Sequence, residues 1–166
     1  MLRIIGNGEH ARVVRAAYNR MRWWRRPSGS IIAIGDVATR WRLWMEAGGS
    51  LANVVHPAAT IAEFALLGGG VYVGPNAVVN RWATVWQHVI INTGAIVEHG
   101  VEIGACSNVG PGVIIGGETK IGQRTVLGMG CRVRDHVRIG SDVTVGMGAV
   151  VVSDVPDGVT VMGCPA

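Results

Sequence analysis

The sequence predicts a mainly β fold, a parallel β-helix built from hexapeptide repeats and preceded by a small, truncated α/β subdomain of Rossmann-like order. Three observations carry this. From Val55 to Val151 a bulky aliphatic residue recurs at every sixth position, seventeen times without an exception. The residue after it is often Gly, as at Gly68, Gly74, Gly104, Gly116 and Gly128, and the residue two before it is small or β-branched, as at Ala77, Ala95, Val113 and Thr125. The first fifty residues lack this period and hold nine Arg against Glu9, Asp36 and Glu46, with four of the six Trp.

The elements follow in order. Leu2-Arg3-Ile4-Ile5 reads as a strand, Gly6 to Ala11 as a glycine turn, and the chain to about Trp24 as a helix. Ser30 to Gly35 reads as a second strand, and Asp36 as the N-cap of a second helix ending near Glu46. The composition changes at Gly48-Gly49-Ser50, dividing the chain into residues 1–50 and 51–166. In the second part each hexad makes one short strand and one turn, so three hexads close a triangular coil, and successive coils stack at about 4.8 Å. The aliphatic residues point inward, and the turn glycines are expected to supply backbone conformations that a Cβ disfavours. An unbroken period leaves no place for a long loop. An active site then lies on the faces, at the ends, or between copies of the prism.

Composition excludes several classes. With 49% hydrophobic and 16% charged residues the chain is not disordered. No apolar stretch of about 18 residues is present, and Met1 to Gly6 is too short for a signal peptide, so a cytoplasmic protein without a membrane span is expected. Cys106, Cys131 and Cys164 form no C-x-x-C pair, which disfavours disulfides and a zinc ribbon and favours buried thiols. The run Arg20-Met21-Arg22-Trp23-Trp24-Arg25-Arg26 is read as a helix face with Arg in solvent and Trp against its own domain or the prism, not as a nucleic-acid site. Gly6-x-Gly8 lacks the third glycine of a dinucleotide fingerprint, and alone it denotes either a tight turn or a phosphate-facing one.

Three segments together carry a resemblance: Ile4-Ile5-Gly6-Asn7-Gly8-Glu9-His10-Ala11, Ile90-Ile91-Asn92-Thr93-Gly94-Ala95-Ile96-Val97-Glu98-His99, and Val155-Pro156-Asp157-Gly158 through Cys164-Pro165-Ala166. They resemble the NeuD/PglD family, sugar O- and N-acetyltransferases that use acetyl-CoA. The resemblance implies a left-handed β-helix, a homotrimer with sites between neighbouring prisms, and transfer of acetyl to an amino or hydroxyl group of a sugar or nucleotide-sugar in surface-polysaccharide synthesis. It further implies that His99 is the catalytic base, that the Gly117 N–H contacts the thioester carbonyl, that Gly117, Gly128, Met129 and Gly148 line acetyl-CoA, and that Gly8, His10 and Asn92 border the acceptor. No metal is implied. The spacing is consistent with the first pair, because Gly117 falls one coil beyond His99 and leaves room beside the imidazole.

The chain departs from the family pattern at three places. The acidic residue that commonly follows the base is Gly100, a second histidine is replaced by Asn108, and a strand and helix normally present before Ile31 are absent, the chain passing through Arg25-Arg26-Pro27-Ser28-Gly29 instead. The last removes acidic contacts to a uridine, so acetyl-CoA use is better supported than a nucleotide-sugar acceptor. His56 reads as structural, while His88 and His136 have no partner readable from sequence. No closely spaced histidine pair suggests a metal. Cys106 and Cys131 are weaker candidates as acyl carriers, since neither has an adjacent histidine or acid. A non-catalytic scaffold derived from such an enzyme is the alternative reading.

Overall fold

The structure is a computed structural model and describes residues 2–21, 28–47 and 51–166. The first helix stops at Arg20, where Met21 is already extended (ψ 143°), and so falls short of the expected Trp24; the arginines of the link before Pro27 and the boundary at Gly48-Gly49-Ser50 lie outside the described residues. The N-terminal unit runs β1 (Leu2–Ile5), α1 (Glu9–Arg20), β2 (Gly29–Ile32) and α2 (Val37–Ala47). The second strand is displaced toward Gly29 from the expected Ser30–Gly35, because β2 pairs in parallel with β1 from Leu2↔Gly29 to Ile5↔Ile32. Asp36 caps α2 as the sequence suggests, its carboxylate accepting from the Thr39 N–H at 2.8 Å.

The rest is a parallel β-solenoid of about six turns. Its two-residue strands stack into three sheets of seven, six and five strands. Sheet I starts at β3 (Val54–Val55) and ends at β20 (Thr160–Val161), sheet II runs from β4 (Thr60–Ile61) to β19 (Val150–Val151), and sheet III from β5 (Leu66–Leu67) to β17 (Arg138–Ile139). Equivalent residues on successive coils are 18 apart, as in Ile96↔Ile114 and Val109↔Leu127. The last coil is two residues shorter, with a step of 16: Val155 bridges Ile139 and Thr160 pairs with Thr144.

Inside the prism the hexad aliphatics form one continuous column with the residues two before them. Some of the latter are polar. Ser107, Thr119 and Thr125 are buried, and their hydroxyls donate to the carbonyls of Gly122, Arg134 and Gly140 at 2.8, 3.0 and 2.7 Å. A buried hydroxyl left unpaired costs about 1–3 kcal/mol. These residues are therefore tolerated because the next coil always offers a carbonyl at that height.

The glycines after the aliphatic positions serve a different purpose from the one expected. The left-handed corner residue lies two positions further on and is Gly at some corners, such as Gly100 (φ 66°), but nine other corner residues are not glycine, including Asn76, Trp82 and Glu118. Glycine follows the aliphatic residue for space: a Cβ on Gly74 would stand 2.9 Å from the Thr93 nitrogen of the next coil, and one on Gly128 would stand 2.7 Å from that of Met147. Close coil stacking excludes the side chain there, not backbone strain.

The N-terminal unit covers one face and one edge of the prism. Ala11, Val14 and Ala17 of α1 pack on Val54, Tyr72 and Ile90, outward residues of sheet I. α2 lies along the edge between sheets III and I. There Arg40 is fully buried and donates to five carbonyls: Ile34 (2.6 Å), Gly35 (3.1 Å), His88 (2.9 Å), Cys106 (2.6 Å) and Ser107 (3.4 Å). Among the described residues no carboxylate pairs with it. Burial lowers its pKa to about 10, which leaves it cationic at neutral pH. Trp44 meets the His88 ring at 5.2 Å, and Arg124, held by both oxygens of Asp142, stacks on Trp41 at 4.5 Å. The tryptophans of α2 thus face the side of the prism.

This interface carries a pH dependence. His88 is buried with both ring nitrogens unpartnered among the described residues, and His10 packs edge-on against Tyr72 at 5.3 Å. Burial first, then Arg40, lowers each pKa from 6.5 to about 4. Both are neutral when folded, and the unfolded chain takes up the extra protons. Their contribution is complete above pH 6.5 and is lost as pH falls toward 4. The thermal midpoint is expected to drop between pH 7 and pH 4.5, with Trp44 emission changing first. A midpoint flat across that interval would contradict the linkage.

Candidate active site

The three edges of the prism have different characters. The edge between sheets II and III carries His99, which lies two residues after the end of β10 (Ile96–Val97). Gly117 lies one coil on, and a Cβ built there would stand 2.7 Å from Cε1 and 2.8 Å from Nε2 of His99. The pair predicted from an 18-residue spacing is therefore in contact. The space above Gly117 is filled by the imidazole itself, however, rather than left open beside it. Among the described residues the Gly117 N–H donates to no backbone carbonyl, while its neighbour Glu118 donates its N–H to the His99 carbonyl at 2.9 Å.

Around this pair the edge is rich in charge. His136 stands 3.7 Å from a Glu118 oxygen through Nδ1 and 3.7 Å from an Asp135 oxygen through Nε2. One coil before His99, Arg81 lies over the rings of Phe64 and Trp82 at 5.8 and 5.4 Å and reaches Glu63 at 3.4 Å. Phe64, Leu66, Trp82 and Trp86 are exposed, forming an apolar zone on this edge and on sheet III. The adjoining groove over sheet III is lined by Trp86, Glu102, Lys120, Arg138, Asp154 and Pro156.

The other predicted residues lie elsewhere. Asn92, Gly128, Met129 and Gly148 all fall on the edge between sheets I and II. Asn92 accepts from the Thr93 N–H at 2.8 Å, Met129 is exposed, and Gly148 is a left-handed corner (φ 68°). Gly8 is the N-cap of α1 and has no side chain to cap it, and His10 lies in the first turn against Tyr72. One chain does not bring these groups to His99, because sheet II separates the two edges.

Two features of sheet I escape sequence reasoning. The Tyr72 hydroxyl and the Asn108 Oδ1 are buried without partners among the described residues, on the outward file that runs Tyr72, Ile90, Asn108 up successive coils. Burial raises the Tyr72 pKa, so the phenol stays protonated and can donate. Arg40 escapes sequence reasoning too, since all that marks it is its place four residues before Trp44 on one helix face. The cysteines fit a structural role in part: burial pushes Cys106 and Cys131 up to about 11, away from thiolate chemistry, but Cys164 is exposed, contrary to expectation. His56 is structural, its Nδ1 accepting from the Ala58 N–H at 3.1 Å. Among the described residues no group of three or more His, Cys, Asp or Glu is arranged to hold a metal ion, and no helix is long and apolar enough to cross a membrane.

A three-sided solenoid of hexapeptide repeats with a βαβα unit on one face places the chain among the hexapeptide transferases. Residues 118–153 match the family described as bacterial transferase hexapeptide (six repeats). The acetyltransferase domain of PglB from Neisseria gonorrhoeae is 30% identical over 98% of this chain and 96% of that one, with a TM-score of 0.88. PerB from Caulobacter crescentus, solved with CoA and GDP-perosamine, is 33% identical over 98% and 93%, with a TM-score of 0.89. The PglB domain with acetyl coenzyme A is 31% identical over 98% and 95%, also at 0.89. No curated protein matches by sequence. The chain belongs to the NeuD/PglD-type family of sugar acetyltransferases.

Proposed function

We propose that this chain transfers acetyl from acetyl-CoA to an amino or hydroxyl group of a sugar or nucleotide-sugar, in the cytoplasm, as a step of surface-polysaccharide or glycan synthesis. The observation that carries the reading is the His99 imidazole on an outer edge, seated against Gly117 with the Gly117 N–H unused by the backbone. It is supported by relatives that bind acetyl-CoA, and CoA with GDP-perosamine.

In this mechanism neutral His99 takes the proton from the acceptor nitrogen or oxygen as that atom attacks the thioester carbonyl. The Gly117 N–H donates to the oxyanion, a contribution of a few kcal/mol. Collapse breaks the C–S bond, and the imidazolium returns its proton to the departing CoA thiolate. No acyl-enzyme forms, which accords with two buried cysteines held near 11. Gly128, Met129 and Gly148 line the CoA arm, and Gly8, His10 and Asn92 border the acceptor.

The working unit is a homotrimer. Asn92, Gly128, Met129 and Gly148 lie on one edge, Gly8 and His10 on the unit over sheet I, and His99 with Gly117 on another edge, so a neighbouring prism is needed to complete a site. The exposed Phe64, Leu66, Trp82 and Trp86 support the same assembly, since contiguous apolar patches mark interaction surfaces. Sedimentation equilibrium at micromolar concentration is expected to give a trimer, and calorimetry to show CoA binding with weak or absent UDP-sugar binding. A monomer would sink the shared site. A chain that binds CoA but acetylates nothing in a broad acceptor panel would be a scaffold instead.

A further inference from the structure

Gly100 sits directly after the proposed base and has no side chain to hold it. Its φ of 66° opens the corner outward, and the first atom a Cβ would meet there is Cγ of Glu118, at 3.2 Å. Glu118 is the residue one coil above Gly100, itself in a left-handed corner (φ 57°), with its N–H bonded to the His99 carbonyl. Its Cγ thus stands against the place that a side chain at position 100 would occupy, while its carboxylate faces His136 on the coil above. We propose that Glu118 is the positioning residue of His99, holding one ring nitrogen as N–H so that the other is free to accept a proton. This rests on the reading of His99 as base.

The other charged groups of this edge fit the role less well. Asp135 is two coils above His99, about 10 Å away, and stands against His136. Arg81 is cationic and turned onto Phe64, Trp82 and Glu63. Glu98 is the remaining nearby carboxylate, on the strand side of His99. The Glu118 carboxylate stands 3.7 Å from His136, which is too long for a hydrogen bond. An exposed glutamate with free rotamers can turn from one imidazole to the other at little cost.

The acceptor proton leaves through one nitrogen only if the other is held, and a carboxylate sets that tautomer. The test is a transplant of the carboxylate. In Glu118→Ala, kcat is expected to fall about 10- to 100-fold, with KM for acetyl-CoA and acceptor and the thermal midpoint unchanged. Gly100→Glu with Glu118→Ala is expected to recover most of that loss, since a glutamate already occupies the same left-handed corner one coil above. Nitrogen-15 NMR of the His99 ring gives a readout independent of turnover: one tautomer in the wild type, a mixture in Glu118→Ala, and one tautomer again in the double variant. Glu98→Gln is expected to resemble the wild type. The assignment is overturned by an unchanged tautomer in Glu118→Ala, by absence of rescue, or by an equal effect of Glu98→Gln. A wild type without acetyl transfer but with these tautomer changes would overturn the function and leave the positioning intact.

Discussion

His99→Ala is expected to lower turnover by about two to four orders of magnitude while leaving assembly and CoA affinity nearly unchanged. The imidazole projects from an edge and contributes nothing to the aliphatic column, so its removal affects proton transfer and not packing. His99→Asn is expected to behave alike, because an amide cannot take and hold a proton near neutral pH. Gly117→Val separates the two parts of the site. A branched side chain there collides with Cε1 and Nε2 of His99, so it displaces the base as well as crowding the thioester, and both turnover and CoA binding are expected to fall. Steady-state kinetics with any acceptor the wild type acetylates decide the matter. Full activity of His99→Ala would remove it from the mechanism.

Arg40→Ala is expected to release the N-terminal unit from the prism, at a cost of about 3–5 kcal/mol. The substitution removes five donor contacts at once and leaves the carbonyls of His88, Cys106 and Ser107 facing a cavity. Arg40→Lys is expected to recover only part, since three ammonium donors cannot reach five carbonyls spread over both units. Urea unfolding followed by tryptophan emission, with proteolysis across α2, measures the effect. The prism should keep its circular dichroism, because its hydrogen bonds run between coils and do not involve Arg40. An unchanged urea midpoint in Arg40→Ala would show that α1 packing alone holds the unit.

Much of the architecture was legible from residue spacing. A strict period of six leaves no freedom in which residues face inward, so Ile103, Val109 and Ile115 could be placed in the core from their numbers alone. The same arithmetic put Gly117 against His99, since a solenoid converts a separation of 18 into contact. Asp36 as a cap was equally local. Sequence logic failed where two periodic elements meet a non-periodic one. Arg40 satisfies carbonyls 48 to 67 residues away, and no pattern in α2 states that distance. The role of the glycines that follow many of the aliphatic residues is hidden from sequence for a related reason: their constraint comes from the coil above, not from their own backbone angles.

What the sequence alone determined is therefore the repeating part: the fold class, the inward column, and the pairing of His99 with Gly117. These follow from one-dimensional periodicity, in which contact is a function of residue number. Only the tertiary structure decided which edge each group occupies, that Asn92, Gly128, Met129 and Gly148 stand on a different edge from His99, that the Glu118 stem borders the space over Gly100, and that a buried arginine joins the N-terminal unit to the prism. Those relations depend on how corners turn and how separate units dock. Side chains from distant segments meet there at angles and distances that no spacing along the chain encodes.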